Sequence, residues 1–179
     1  MRRTLSLIIL MLFAGITGIQ AQSAGQRAQD LAVALNKTKY KKKEKIDLEF
    51  YIDVKNIPAA KSNAADYSGV YRADDHYRLD LQVSADGTAA GSGSDKTDWL
   101  GSEQRKFTLK NAHVTGALLT AIKVYENGVT EEFEAVFVNR TVASGVSPEK
   151  VTRVEAAFGL GFIQTRDTSV SRFFLEKQN

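Results

Sequence analysis

The chain has no cysteine, one tryptophan, two histidines and two prolines among 179 residues. Without thiols there are no disulfides, thiolate metal sites or cysteine nucleophiles, so the fold must be held by its own core. With only His76 and His113 available, a zinc site would take most of its ligands from carboxylates, an uncommon set. No Gly-x-Ser-x-Gly elbow occurs. Gly91-Ser92-Gly93 lacks the helix that a phosphate-cradling loop needs behind it. No cofactor or metal is expected.

A strong excess of one charge is also missing once the N-terminus is set aside. Arg2 and Arg3 precede an apolar run from Leu5 to Ile19, and Gln20-Ala21-Gln22-Ser23 follow. A charged start, an apolar middle and a small residue at the cut make a secretory signal, with cleavage placed after Ala21. The run is shorter than the roughly 20 apolar residues of a spanning helix, and no transmembrane segment is expected after cleavage. Losing Arg2 and Arg3 takes Lys plus Arg from 24 to 22, against 21 Asp plus Glu. That near-neutral balance gives no general case for nucleic acid. The expected location is a bacterial periplasm or the medium, and about 158 residues remain, enough to bury a core without crosslinks.

Three segments are expected: the leader 1–21, a helix with a lysine-rich stretch over 22–44, and a β-barrel-like domain over 45–179. From Ala24 to Asn36, Ala28, Leu31, Ala32 and Leu35 mark one face of a short helix. Six lysines then fall between Lys37 and Lys45. Beyond them the period becomes two. Ile46, Leu48, Phe50 and Ile52 alternate with polar residues, as in a strand with one buried face. Strands are predicted over Tyr67–Arg72, Tyr77–Ser84, Thr88–Gly93, Arg105–Asn111, Ala117–Tyr125, Val129–Val138 and Ser169–Glu176. On the strand Ala117–Tyr125, Lys123 continues the register of Leu119 and Ala121. Asp86-Gly87 and Asn127-Gly128 mark hairpin turns, and Gly91 to Asp98 reads as a flexible loop. Around Ser147-Pro148 a helix cap competes with the alternation of Val154, Ala156, Phe158, Leu160 and Phe162; a strand from about Val154 is preferred, with a helical turn before it as the alternative.

About eight or nine strands in local hairpins, with one helix at the front, predict a mostly β fold. The expected form is an antiparallel meander closing into a barrel, or folding into a sandwich. The layout resembles the lipocalin-like and fatty-acid-binding β-barrels. Tyr67-Ser68-Gly69-Val70-Tyr71 echoes the glycine-aromatic start of lipocalin strands, but the tryptophan expected there is missing. The resemblance implies a small apolar ligand held inside the barrel.

Candidate site residues are few. Asp74, Asp75 and His76 form the most polar constellation, and their place in a turn also suits local backbone hydrogen bonding. Trp99 either fills the base of the core or anchors a partner. Lys41, Lys42 and Lys43 offer contact to an anionic surface, or guard a sheet edge. Glu132 and Glu134 share one face with the spacing of some glycosidase carboxylates, yet alternate with core residues and read as the wet face. Three functions are therefore weighed: a non-catalytic binder of an apolar ligand, a module binding an envelope protein or inhibiting a hydrolase through Trp99 and Asp74, and a carboxylate-dependent enzyme acting on sugars. The export expectation is checked by intact-mass analysis of the protein from an exporting bacterium. A chain beginning at Gln22 is predicted, whereas a retained Met1 contradicts the leader.

Overall fold

The computed structural model describes residues 22–43, 48–73, 77–96, 104–166 and 169–179. The leader, Asp74-Asp75-His76 and Trp99 lie outside the described residues.

Two-residue alternation generates the barrel. In β4 (Tyr77–Val83) Tyr77, Leu79, Leu81 and Val83 are buried, while Arg78, Asp80 and Gln82 are not. The barrel is completed by β3 (Gly69–Ala73), β5 (Thr88–Lys96), β6 (Gln104–Thr115), β7 (Leu118–Tyr125), β8 (Thr130–Ser147), β9 (Lys150–Arg166) and β10 (Ser169–Lys177), and the same alternation marks much of β6 and β7. Each strand pairs antiparallel with the next, and β10 returns to β3, so the eight close into a barrel rather than a sandwich. Gly87 and Gly128 turn their hairpins at φ of 88° and 83°, as the Asp-Gly and Asn-Gly pairs predict.

Two further strands, β1 (Lys37–Lys43) and β2 (Leu48–Pro58), lie outside the barrel. β2 takes over the edge of β8 that β7 leaves. β7 pairs with Thr130–Val136, and β2 pairs with Val138–Gly145. At the hand-over Phe137 donates its N–H to Ala117 and accepts from the N–H of Ala59, both at 2.8 Å. β8 and β9 thus run past the barrel and join β1 and β2 in a four-stranded flap.

Several sequence expectations change here. β8 continues nine residues past Val138, to Ser147. Ser147-Pro148 caps no helix; Pro148 and Glu149 turn directly into β9, which begins at Lys150. Gly91 to Lys96 is strand, not loop. Gly93 is required there because a Cβ would lie 2.6 Å from the Phe107 ring and 2.2 Å from the Arg78 carbonyl oxygen. Tyr67 belongs to a 3-10 turn (Ala64–Tyr67), not to β3.

The helix α1 (Ala24–Ala34) forms as predicted, capped by the Ser23 hydroxyl, which accepts from the Gln26 N–H at 3.2 Å. It packs outside the barrel, setting Ala28, Ala32 and Leu35 on Leu118, Val136 and Val138. This second contact explains why β8 buries four consecutive residues, Ala135 to Val138, instead of alternating. Arg27 fixes the helix to Glu134 at 2.9 Å. Among the described residues no helix is long and apolar enough to cross a membrane.

Tyr67 closes the barrel at the flap end. Its ring stacks on Phe137 with centroids 3.9 Å apart. Its hydroxyl accepts from the Lys61 N–H at 2.7 Å and donates to the Ala59 carbonyl at 2.8 Å. Tyr67→Phe keeps the ring and orphans both backbone groups, so urea unfolding is expected to lose about 1–3 kcal/mol. An unchanged midpoint would show that water serves these groups instead.

Candidate functional site

Inward-facing residues of every barrel strand meet in one core. The register of β7 then sends Lys123 inward, where it is only 2% exposed. Its ammonium lies 4.4 Å from the ring centroid of Phe133, 4.8 Å from Tyr77, 5.0 Å from Phe107 and 5.3 Å from Phe162. Aromatic faces carry negative potential and compensate part of the cost of burying a cation. The rest is electrostatic. Asp95 is 4.0 Å from Lys123 and 2.8 Å from Arg105, and accepts from the Tyr125 hydroxyl at 2.8 Å. Glu131 lies 3.1 Å from that hydroxyl. Burial, and then the bond to Asp95, raises the pKa of Tyr125; burial chiefly raises that of Tyr77.

This network occupies the barrel end opposite Tyr67. The strand ends Tyr77, Lys96 and Gln104, which flank the segments carrying Asp74, Asp75, His76 and Trp99, belong to the same end. Ring contacts fill the space between, including Tyr77–Phe162 at 5.0 Å and Phe162–Phe173 at 4.9 Å. The described interior is therefore occupied by side chains.

Two concavities lined by described residues lie outside, where the flap meets the barrel wall. The cause is topological. β9 pairs with β8 from Lys150 to Phe162, whereas β10 pairs with β9 only from Gly159 to Arg166. Before Gly159 the two sheets diverge and leave a cleft. Its floor is Arg140 of β8 against Phe174 of β10, with the guanidinium carbon 4.6 Å from the ring centroid. On one side is a chamber of about 730 Å3 that includes Arg72, Val142, Ala157 and Glu176. On the other is one of about 640 Å3 that includes Leu35, Lys37, Val54 and Arg172.

Arg140 is the unusual group. It is half-buried, and among the described residues no carboxylate pairs with it and no acceptor takes a hydrogen bond from it. Burial pulls its pKa below the ordinary arginine value, against the attraction of Glu176. A guanidinium offers five donors in a plane and takes carboxylate or phosphate in a two-point grip. Arg172 is partly engaged, donating from Nε to the Ala34 carbonyl at the end of α1 at 2.7 Å. Glu155 is paired with Arg153. On the second side Lys37 and Arg172 add positive charge to Arg140 and no carboxylate is among the described lining residues, whereas on the first side Glu155 and Glu176 offset Arg72; the second side therefore favours an anion.

The sequence-based candidates are not gathered at this cleft. Lys41, Lys42 and Lys43 lie exposed on β1, with Lys42 3.5 Å from Glu49. Glu132 and Glu134 face outward at a depression of about 350 Å3. There both oxygens of Glu134 are held by Arg27, at 2.9 and 3.0 Å. Arg140 and Phe174 were missed because they meet only through the hand-over of β8.

For the interior network, the prediction turns on which charge is removed. Asp95→Asn leaves a buried cation undercompensated and is expected to cost about 3–5 kcal/mol. Lys123→Met leaves Asp95 served by Arg105 and Tyr125, and is expected to cost less than about 1 kcal/mol. Chemical denaturation of both variants checks this, and the reverse order would contradict the electrostatic account.

Comparison with protein-family models, with curated proteins and with solved structures returned no match.

Proposed function

We propose that this is an exported, non-catalytic binding protein that holds a small acidic molecule with an apolar body in the cleft between flap and barrel. One observation carries the reading: the half-buried guanidinium of Arg140, stacked on Phe174, opens into chambers on both sides without a described acceptor. The ligand's carboxylate, phosphate or sulfonate meets Arg140, with Arg72 or Arg172 in support. Its apolar part lies along Val142 and Ala157, or along Leu35 and Val54. The filled interior supports placing the ligand outside the barrel rather than within it. The tie between Glu134 and Arg27 weakens the carboxylate-pair alternative.

A test uses anilinonaphthalene sulfonate, an anionic aromatic probe, with the processed chain. Saturable fluorescence enhancement is expected. Arg140→Leu should weaken it at least about tenfold, the equivalent of about 1.4 kcal/mol. Lys42→Leu, which removes a cation far from the cleft, should leave it unchanged. Absent saturable binding, or equal binding by Arg140→Leu, contradicts the proposal.

A further inference from the structure

The flap has two edges, and they are guarded differently. Its β1 edge carries Lys37, Lys39, Lys41, Lys42 and Lys43, and lysines along an edge oppose pairing with another chain. The other edge is β9 before Gly159. There β9 pairs with β8 on one side, and among the described residues no strand pairs on the other. Val151 to Ala156 are all exposed, Val154 to 65%. Open backbone groups on an exposed strand are a template for strand addition.

The side chains on this edge specify the partner. Thr152-Arg153-Val154-Glu155-Ala156 places opposite charges symmetrically about Val154. Arg153 and Glu155 share a face, since they pair within the chain. If two copies run antiparallel with Val154 facing Val154, each Arg153 stands opposite the other copy's Glu155. Thr152 then stands opposite Ala156. Opposite-charge pairs across antiparallel strands are favourable, and like charges are not.

We propose that a second copy of this chain adds to the β9 edge in that register, joining two flaps into one eight-stranded sheet around a two-fold axis. The ladder is short and the area small, so the dimer is weak and reversible. Glu155 and Ala156 also line the first chamber, but the inference does not rest on a ligand there; it is argued from edge pairing and charge symmetry.

Sedimentation equilibrium of the processed chain from about 1 to about 500 μM tests it, a span that covers weak association. A monomer–dimer equilibrium is expected. Arg153→Glu alone and Glu155→Arg alone each place like charges opposite one another and should remain monomeric. Mixing the two variants pairs opposite charges again across the axis and should restore dimers, which a contact within one chain cannot explain. A monomer throughout the range, dimers persisting in either single variant, or a mixture that stays monomeric would each overturn the proposal.

Discussion

At Phe137 the backbone of β8 changes neighbours, giving its N–H to Ala117 and taking the N–H of Ala59. This hand-over lets one strand serve two sheets without leaving polar backbone groups unpaired. Before it, β8 belongs to the barrel and its side chains alternate between the core and α1. After it, β8 belongs to the flap, with β2 beside it in place of β7. The cleft follows directly. A strand that ended at Val138 would leave a barrel with no flap and no wall opposite β10.

Two cations, Lys123 buried and Arg140 half-buried, show how differently a fold can treat a charge. Lys123 is surrounded: four aromatic rings, Asp95 and the hydroxyl network beyond it meet the ammonium inside the barrel. Such a group is costly to strip of one partner. Arg140 has the aromatic platform without the carboxylate. The polar partner that Lys123 finds in Asp95 is, for Arg140, the place that the proposed ligand would fill. A buried polar network beside the Tyr77 hydroxyl, itself lacking a described partner, could draw attention to the interior. The rings packed around it leave the outer cleft as the roomier place.

Much of the barrel was legible because one face of each strand meets core and the other meets water. Tyr77, Leu79, Leu81 and Val83 announce β4 in this way, as Phe133, Ala135 and Phe137 announce the start of β8. The signal fails where the two faces stop differing. From Asn139 to Gly145 most side chains are half-buried on both faces of the flap, so no alternation marks the strand. It fails again at Gly93, where the inner position is chosen for the room it leaves Phe107. The cleft was illegible for a further reason. No motif marks Arg140 as a ligand-binding residue, and its meeting with Phe174 depends on β9 diverging from β10 before Gly159, a geometric fact that local pattern does not encode.

The central claim is that the ligand-accepting surface lies outside the barrel, at Arg140. Its most direct test is a two-dimensional NMR titration of the processed chain with a long-chain fatty acid, following backbone amides and the arginine Nε–H signals together. Saturable shifts confined to Arg140, its β8 neighbours and β10 from Arg172 to Glu176 are predicted, with Lys123 and Tyr77 unmoved. Shifts centred on Lys123, Phe133 and Phe162, with Arg140 silent, would place the ligand inside the barrel and contradict the account.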